Sequence, residues 1–137
     1  MPSPRVIAVG LVIRDNGDLL VTEGADPLTG KSWHRLIGGG VEYGERGADA
    51  LVREFEEEYG LSVRVGDRLA ALENLFTYNG LPGHELVLVY DAHLTDRAHA
   101  EAAELRSLEP GQPPGIGLSP TEARLVPADV ATLLDRE

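Results

Sequence analysis

Hydrophobic and polar residues alternate along this chain with two periods, one typical of strands and one typical of helices. Apolar, β-branched runs at residues 6–14 and 19–22 enclose the turn sequence Asp-Asn-Gly-Asp, so we predict a β-hairpin there. Residues 23–31 are rich in turn formers and predict a loop. Residues 33–37 predict a short strand that runs into three consecutive glycines.

The clearest helical pattern covers residues 47–59. Apolar side chains recur there at three- and four-residue steps, and Gly60 is a typical C-terminal cap. Residues 61–79 predict one or two strands, and residues 79–83 predict a turn. Residues 85–90 are apolar on both faces, as expected of a central strand covered on both sides.

The last third of the chain gives weaker patterns. Residues 98–108 are rich in Ala and Glu and predict a short helix, whereas residues 109–120 are dense in Pro and Gly and predict an irregular surface loop. A last strand at residues 123–126 and a closing helix at 128–134 complete the pattern. Strands interleaved with two or three helices favour an α/β fold with a mixed sheet, in one domain of 137 residues.

Composition restricts the classes of function. No apolar run approaches the about 20 residues that span a bilayer, and the N-terminus lacks a secretory signal, so we expect a cytoplasmic protein without membrane association. Cysteine is absent, so a metal would be bound by oxygen or imidazole. The net charge of -11 argues against a nucleic-acid polymer as partner. A small phosphorylated substrate is compatible if a divalent cation first neutralises an acidic site.

Three carboxylates share one stripe of the predicted helix, because Glu54, Glu57 and Glu58 stand at positions i, i+3 and i+4. Like charges at this spacing repel unless a cation lies among them, and hard oxygen ligands favour Mg²⁺, Mn²⁺ or Ca²⁺. Gly38 to Gly40 precede the helix and allow the backbone to approach an ion or a phosphate closely. Either feature alone is more often a solvated face or a turn, so the interpretation depends on their combination.

Together these features resemble the Nudix box, G-x(5)-E-x(7)-R-E-U-x-E-E-x-G-U, where U is bulky and apolar. All nine specified positions match, at Gly39, Glu45, Arg53, Glu54, Phe55, Glu57, Glu58, Gly60 and Leu61. From average residue usage such a match has a chance probability of about 10⁻⁹ per starting position. One departure is Ile37, where family members usually carry Pro. The resemblance implies a MutT-like Nudix hydrolase with an α/β/α sandwich around a central mixed sheet.

The resemblance also implies roles for individual residues. The family binds its Mg²⁺ or Mn²⁺ ions through three carboxylates and often one carbonyl, at positions that correspond here to Glu54, Glu57, Glu58 and Gly38. Glu45 is expected to pair with Arg53 and to orient the helix. The expected reaction is hydrolysis of a diphosphate linkage in a nucleoside triphosphate, a nucleotide sugar or a dinucleoside polyphosphate.

Several assignments stay open at this stage. Glu54 and Glu58 are the first candidates for the general base. Further candidates, each of which also has an ordinary surface or strand interpretation, are Glu85, Glu101 and Glu104. Candidate substrate-binding residues, with the same alternative interpretation, are Arg35, Lys31, Tyr78, Glu85 and His84.

Two other classes of function compete with the enzyme. One is a Nudix-fold module that senses nucleotides or binds proteins without catalysis, and the other is a structural site stabilised by Ca²⁺. Because no box carboxylate is missing, the hydrolase is the favoured hypothesis. We expect the protein to be a monomer or a homodimer.

Overall fold

The structure is a computed structural model that describes residues 3–102 and 104–135. Its strands are β1 (Arg5–Leu11), β2 (Leu19–Ala25), β3 (Ser32–Gly40), β4 (Val63–Tyr78), β5 (Leu81–Leu94), β6 (Glu104–Leu105) and β7 (Gly115–Leu118). Its helices are α1 (Gly47–Tyr59), α2 (Arg97–Glu101) and a 3₁₀ helix (Ala128–Asp135). The strands form one mixed sheet in the order β4-β5-β1-β3-β2-β7-β6, in which β1 and β5 are parallel and the other neighbours are antiparallel.

Strand β3 lies between β1 and β2 and pairs with both. Its first half, residues 32–36, pairs with β2, and its second half, residues 37–40, pairs with β1. The predicted β1–β2 hairpin is therefore wrong as a ladder, although its turn forms, with Gly17 at φ 88° and an isolated bridge from Ile13 to Leu19. The hairpin fails because β3 supplies longer ladders to both strands.

Two apolar clusters sandwich the sheet, because successive residues of a strand point to opposite faces. Helix α1 covers one face, where Leu51 and Phe55 pack with Ala8, Leu20 and Ile37. The chain after β7 covers the other face, where the cluster comprises Ile7, Val9, Leu11, Leu19, Val21, Leu36, Val87, Val89, Leu125 and Val130. The expected α/β fold with a central mixed sheet is confirmed, with the 3₁₀ helix in the second outer layer.

Helix α1 has the predicted bounds, residues 47–59. Its apolar stripe is buried, with Leu51 and Phe55 at 0% exposure. Gly60 ends the helix in the left-handed region at φ 66°, and its N–H group donates to the carbonyl of Glu56. The helix was predictable because its hydrophobic period and its cap are both local in sequence.

The segment that follows is one long strand, because β4 runs without interruption to Tyr78 apart from irregular pairing between Val65 and Ala70. The turn to β5 is tighter than the predicted 79–83. It consists of Asn79 and Gly80, with φ angles of 51° and 77°, and β5 begins at the next residue. The predicted central strand is confirmed within β5, which has β4 on one side and β1 on the other.

The helix predicted at residues 98–108 is wrong over most of its length. Helix α2 ends at Glu101, and β6 follows at Glu104 and Leu105. Leu105 is buried and belongs to the α1-side cluster. Burial of this one leucine in a strand is a tertiary effect that the weak local helical pattern does not contain.

The segment 109–120 is not wholly irregular as predicted. Strand β7 lies within it and pairs with β2 in antiparallel register, because the free edge of β2 offers backbone partners. Residues 123–126 do not form the predicted strand, and only Leu125 bridges to His34 of β3.

The closing helix is of the 3₁₀ type. Among the residues that the structure describes, no helix is long and apolar enough to cross a bilayer.

Candidate active site

A cleft of about 390 Å³ lies where β3 passes from β2 to β1. Five of the residues predicted from the sequence line it, namely Arg35, Gly38, Glu54, Glu58 and Glu85. Two of them come from α1, two from β3 and one from β5. The fold therefore brings together residues that lie up to fifty positions apart in the chain, as the contact between Arg35 and Glu85 demonstrates.

Arg53 holds the acidic residues of the box together. Its Nε and Nη2 atoms donate to the two carboxylate oxygens of Glu45, both at 2.9 Å. Its Nη1 atom donates to Glu54 at 3.0 Å and to Glu57 at 3.2 Å, and Nη2 also donates to the carbonyl oxygen of Gly40 at 2.9 Å. One guanidinium thus fixes three carboxylates and the end of β3, and the Glu45–Arg53 pair implied by the resemblance is present.

This network shifts the protonation equilibria of both partners. The hydrogen bonds from the Arg53 side chain and from the Glu42 backbone N–H lower the pKa of Glu45 to about 2. The same contact with Glu45 raises the pKa of Arg53. The pair is therefore ionised throughout the physiological pH range.

Glu54 lies directly against the glycine segment of β3. A Cβ atom on Gly39 would be 2.6 Å from Oε1 and 2.7 Å from Oε2 of Glu54, so a larger residue would displace this carboxylate. Glycine at position 39 therefore provides the space that the carboxylate occupies.

Glu58 is the other carboxylate of α1 in the cleft wall. Burial, followed by the negative charges of Glu54, Glu109 and Glu57, raises the pKa of Glu58 to about 7. Two carboxylates confined in one cleft repel each other when both are ionised. A divalent cation bound between them would remove that repulsion, and hard carboxylate oxygens suit Mg²⁺ or Mn²⁺, so Glu54 and Glu58 fit such an ion.

Glu57 does not line the cleft. Its side chain is 53% exposed and forms an ion pair with Arg53. Within the described ranges, no group of three or more Asp, Glu or His side chains is gathered closely enough to hold one ion. Glu57 would have to leave Arg53 and rotate toward the cleft to join Glu54 and Glu58, so its role as a third ligand stays a prediction.

Glu85 and Arg35 form a largely buried ion pair. Arg35 Nη2 donates to Glu85 Oε1 at 2.8 Å, and Asn74 adds a longer contact of 3.4 Å to the same oxygen. Glu85 is only 6% exposed, so its interpretation as an exposed strand residue is wrong. Arg35, by contrast, keeps about a third of its side chain accessible, at 34%.

A second cavity, of about 620 Å³, shares Trp33 and Arg35 with the cleft. Lys31 and Tyr78 line this second cavity and not the cleft. Trp33 and Tyr78 meet edge to face, with ring centroids 5.9 Å apart. Phe76 adds a further aromatic side chain. The two cavities therefore differ in character, the first acidic and the second aromatic.

The remaining candidates lie elsewhere. Glu104 and His84 are exposed and line neither cavity. The side chain of Glu101 lies outside the described part of the structure.

Sequence reasoning assigned no role to several residues of the cleft wall, among them Arg5 and Gln112. Arg5 begins β1, and its place in the cleft wall depends on the pairing of this strand with β3 and β5. Gln112 belongs to a segment that is fixed to the end of α1, because the Leu108 N–H donates to the Glu58 carbonyl at 2.6 Å and the Tyr59 hydroxyl donates to the Pro113 carbonyl at 3.3 Å. No local pattern marks contacts of this kind.

Comparison with known proteins decides the family. A model of the NUDIX domain matches residues 4–128. The chain belongs to the Nudix family. The expected class, a MutT-like Nudix hydrolase acting on phosphorus anhydride bonds, is confirmed at that level.

Individual relatives show how far the similarity extends. A MutT Nudix hydrolase from Burkholderia pseudomallei has a TM-score of 0.71 and 25% identity, over 98% of this chain and 100% of that chain. An ADP-ribose pyrophosphatase from Streptococcus suis 89-1591 shares the fold, with a TM-score of 0.61 and 14% identity over 96% of this chain and 90% of that chain. The low-salt glycan biosynthesis protein Agl8 of Haloferax volcanii is 28% identical over 90% of this chain and 81% of its own length.

Proposed function

We propose that this Nudix protein is a Mg²⁺-dependent pyrophosphohydrolase that cleaves the diphosphate linkage of a nucleoside diphosphate derivative. The observation that carries the proposal is the pairing of Glu54 and Glu58 in one cleft, with Arg35 in the same wall. Acidic and basic groups in one cleft suit a metal-bound diphosphate, because the ion offsets the carboxylates and the guanidinium contacts phosphate oxygens.

The ion would be held by Glu54 and Glu58, with Glu57 after its release from Arg53 and with the carbonyl oxygen of Gly38. When bound, Mg²⁺ or Mn²⁺ would polarise phosphate oxygens and activate water. Arg53 contributes by position, because its contacts with Glu45 and Glu54 fix the carboxylate that lies against Gly39.

Glu58 is our choice for the general base. Glu54 already accepts a hydrogen bond from Arg53 Nη1 at 3.0 Å, so fewer of its lone pairs are free for the proton of a water molecule. Glu58 lines the cleft without a cationic side-chain partner within the described residues, so one of its carboxylate oxygens would hold the ion and the other would be free to accept the proton of the attacking water. Glu85 is less available as the base, because its Oε1 atom already accepts hydrogen bonds from Arg35 and Asn74.

The second cavity would take the nucleoside. Trp33 and Tyr78 offer aromatic surfaces to the nucleobase, and Lys31 adds a positive charge in the wall of the same cavity. Arg35 borders both cavities and would contact the phosphates that join the two halves of the substrate. Nucleoside triphosphates, nucleotide sugars and dinucleoside polyphosphates all have this division into a phosphate part and an aromatic part. The glycan-biosynthesis relative is a reason to include nucleotide sugars in any test.

The experiment is a hydrolysis panel of these three substrate classes with Mg²⁺. The wild type is compared with Glu57→Gln and Glu58→Gln, and Glu56→Gln is the matched control, because Glu56 is an exposed acid of the same helix that lines neither cavity. We expect turnover of at least one substrate, a loss of about 100-fold or more in both site variants, and near wild-type activity in the control.

The contrary results are equally specific. No turnover of any substrate would contradict the proposal, as would full activity in Glu57→Gln. Tight nucleotide binding without turnover would favour a non-catalytic sensing module. Cytoplasmic location and assembly as a monomer or homodimer stay predictions.

A further inference from the structure

Arg5 is a cation in the wall of the cleft without a partner of its own. It lines the cleft together with Glu54 and Glu58. Within residues 3–102 and 104–135 its guanidinium makes no hydrogen bond and no ion pair. Arg5 is exposed, as an unpaired guanidinium usually is, but it borders an acidic cleft in a protein with a net charge of -11.

The charges of the described cleft wall make this arginine distinctive. The wall carries four acidic residues, Glu23, Glu54, Glu58 and Glu85, and two arginines, Arg5 and Arg35. Arg35 is neutralised by Glu85 at 2.8 Å. Arg5 is therefore the wall's one cation, among the described residues, that is left without an ion pair.

Glu85, on the strand next to β1, does not neutralise Arg5 either. Arg5 and Glu85 are register partners in the parallel β1–β5 pair. The Glu85 carboxylate nevertheless contacts Arg35 and Asn74 through the same oxygen. Two contacts thus hold the carboxylate toward those residues, and Arg5 keeps its donors for another acceptor.

The glycine segment makes room for the guanidinium. A Cβ atom on Gly40 would lie 2.7 Å from Nη2 and 3.2 Å from Nε of Arg5. The carbonyl oxygen of Gly40 accepts a hydrogen bond from Arg53. Gly40 thus has Arg5 beside its Cα and the box arginine on its carbonyl, which places Arg5 next to the segment that carries Gly38 and Gly39.

We infer that Arg5 binds a phosphate group of the substrate's diphosphate. The inference rests on the proposed function, because the cleft must receive a diphosphate for Arg5 to contact it. Guanidinium donors match phosphate oxygens in geometry and charge. Arg5 is a binding residue in this assignment, and it supplies the positive charge that Arg35, already paired, supplies only in part.

The test measures the binding of a diphosphate analogue that carries no nucleobase. Methylenediphosphonate, which is not hydrolysed, is titrated with Mg²⁺ into the full chain, and the fluorescence of Trp33 is recorded. Trp33 is the only tryptophan and lines the cleft. We expect Arg5→Ala to raise the Kd by about tenfold or more and Arg5→Lys to raise it less. The control is Arg64→Ala, an exposed arginine on β4 that lines neither cavity.

Three outcomes would overturn the assignment. They are an Arg5→Ala Kd within twofold of wild type, an equal loss in Arg64→Ala, and no binding by a wild type that hydrolyses nucleotides. Arg5-dependent binding by a wild type that hydrolyses nothing in the substrate panel would instead support the assignment and contradict the proposed hydrolase. The hydrolysis panel and the fluorescence titration therefore separate the two failures.

Discussion

Arg53 is the residue on which the acidic face of α1 depends. Carboxylates at i, i+3 and i+4 repel, and each exposed pair destabilises a helix by a few tenths of a kcal/mol. Arg53 contacts Glu54 and Glu57 on this face and anchors itself on Glu45 and Gly40. The helix can therefore carry its acids before an ion binds, but Glu58 lies outside this network.

Glu58 leads to a prediction about stability and pH. Its pKa is about 7 in the folded protein and 4.5 by reference, so between these values the folded state binds more protons than the unfolded state. Stability must then fall as pH rises through this window. The full shift corresponds to about 3 kcal/mol, which solvent screening of a half-exposed group reduces to about 1 kcal/mol, or about 4 °C in Tm.

The measurement is Tm at pH 5 and at pH 8 without divalent ions. The fall in Tm should be smaller in Glu58→Gln than in wild type, and Mg²⁺ should reduce the wild-type fall by stabilising the ionised carboxylate. Glu56→Gln, which keeps Glu58, should behave as wild type. Identical dependence of Tm on pH in Glu58→Gln and wild type would contradict the raised pKa of Glu58.

At the scale of elements, the end of β3 serves two purposes through adjacent glycines. A Cβ atom on Gly38 would collide with the backbone carbonyl of Ala8 in β1, which has no freedom to move aside. A Cβ atom on Gly39 would instead meet the carboxylate of Glu54, the far end of a flexible side chain. One glycine is therefore required for strand pairing and the next for the site.

This distinction gives opposite expectations for two neighbouring substitutions. Gly38→Ala should destabilise the protein by about 3 kcal/mol or prevent folding, because overpacking falls on backbone. Gly39→Ala should keep a near wild-type urea midpoint and lose about tenfold or more in hydrolysis, because Glu54 is displaced. Gly66→Ala, with a nearest contact of 3.4 Å, is the control for both. Equal stability losses at positions 38 and 39 would contradict this division.

The elements also separate what the sequence could predict from what it could not. Helix α1, its Gly60 cap and the Glu45–Arg53 pair depend on residues that lie within about twenty positions of one another. The box could therefore be predicted from the sequence. Strand β7 forms because β2 offers a free edge to residues about a hundred positions later in the chain. The Pro and Gly residues around β7 predict a loop instead of a strand. The same limit applies to the site, where the contact of Arg35 with Glu85 joins β3 to β5.

At the scale of the whole molecule, the chain is an acidic protein with a cleft that needs cations. A net charge of -11 and four acidic residues in the cleft wall disfavour a bare diphosphate. Arg5 and Arg35 supply two positive charges, of which Glu85 neutralises one. Substrate binding should therefore depend on a divalent ion, and this dependence links the fold, the acidic helix and the proposed hydrolysis.

The most direct test of that link is a Mn²⁺ titration followed by electron paramagnetic resonance, which detects the free ion. Wild type and Glu56→Gln should both remove Mn²⁺ from solution at millimolar or lower concentration. The double variant Glu54→Gln/Glu58→Gln should lose the tightest site. Equal Mn²⁺ uptake by the double variant and wild type, or no uptake by wild type, would contradict an ion site at Glu54 and Glu58.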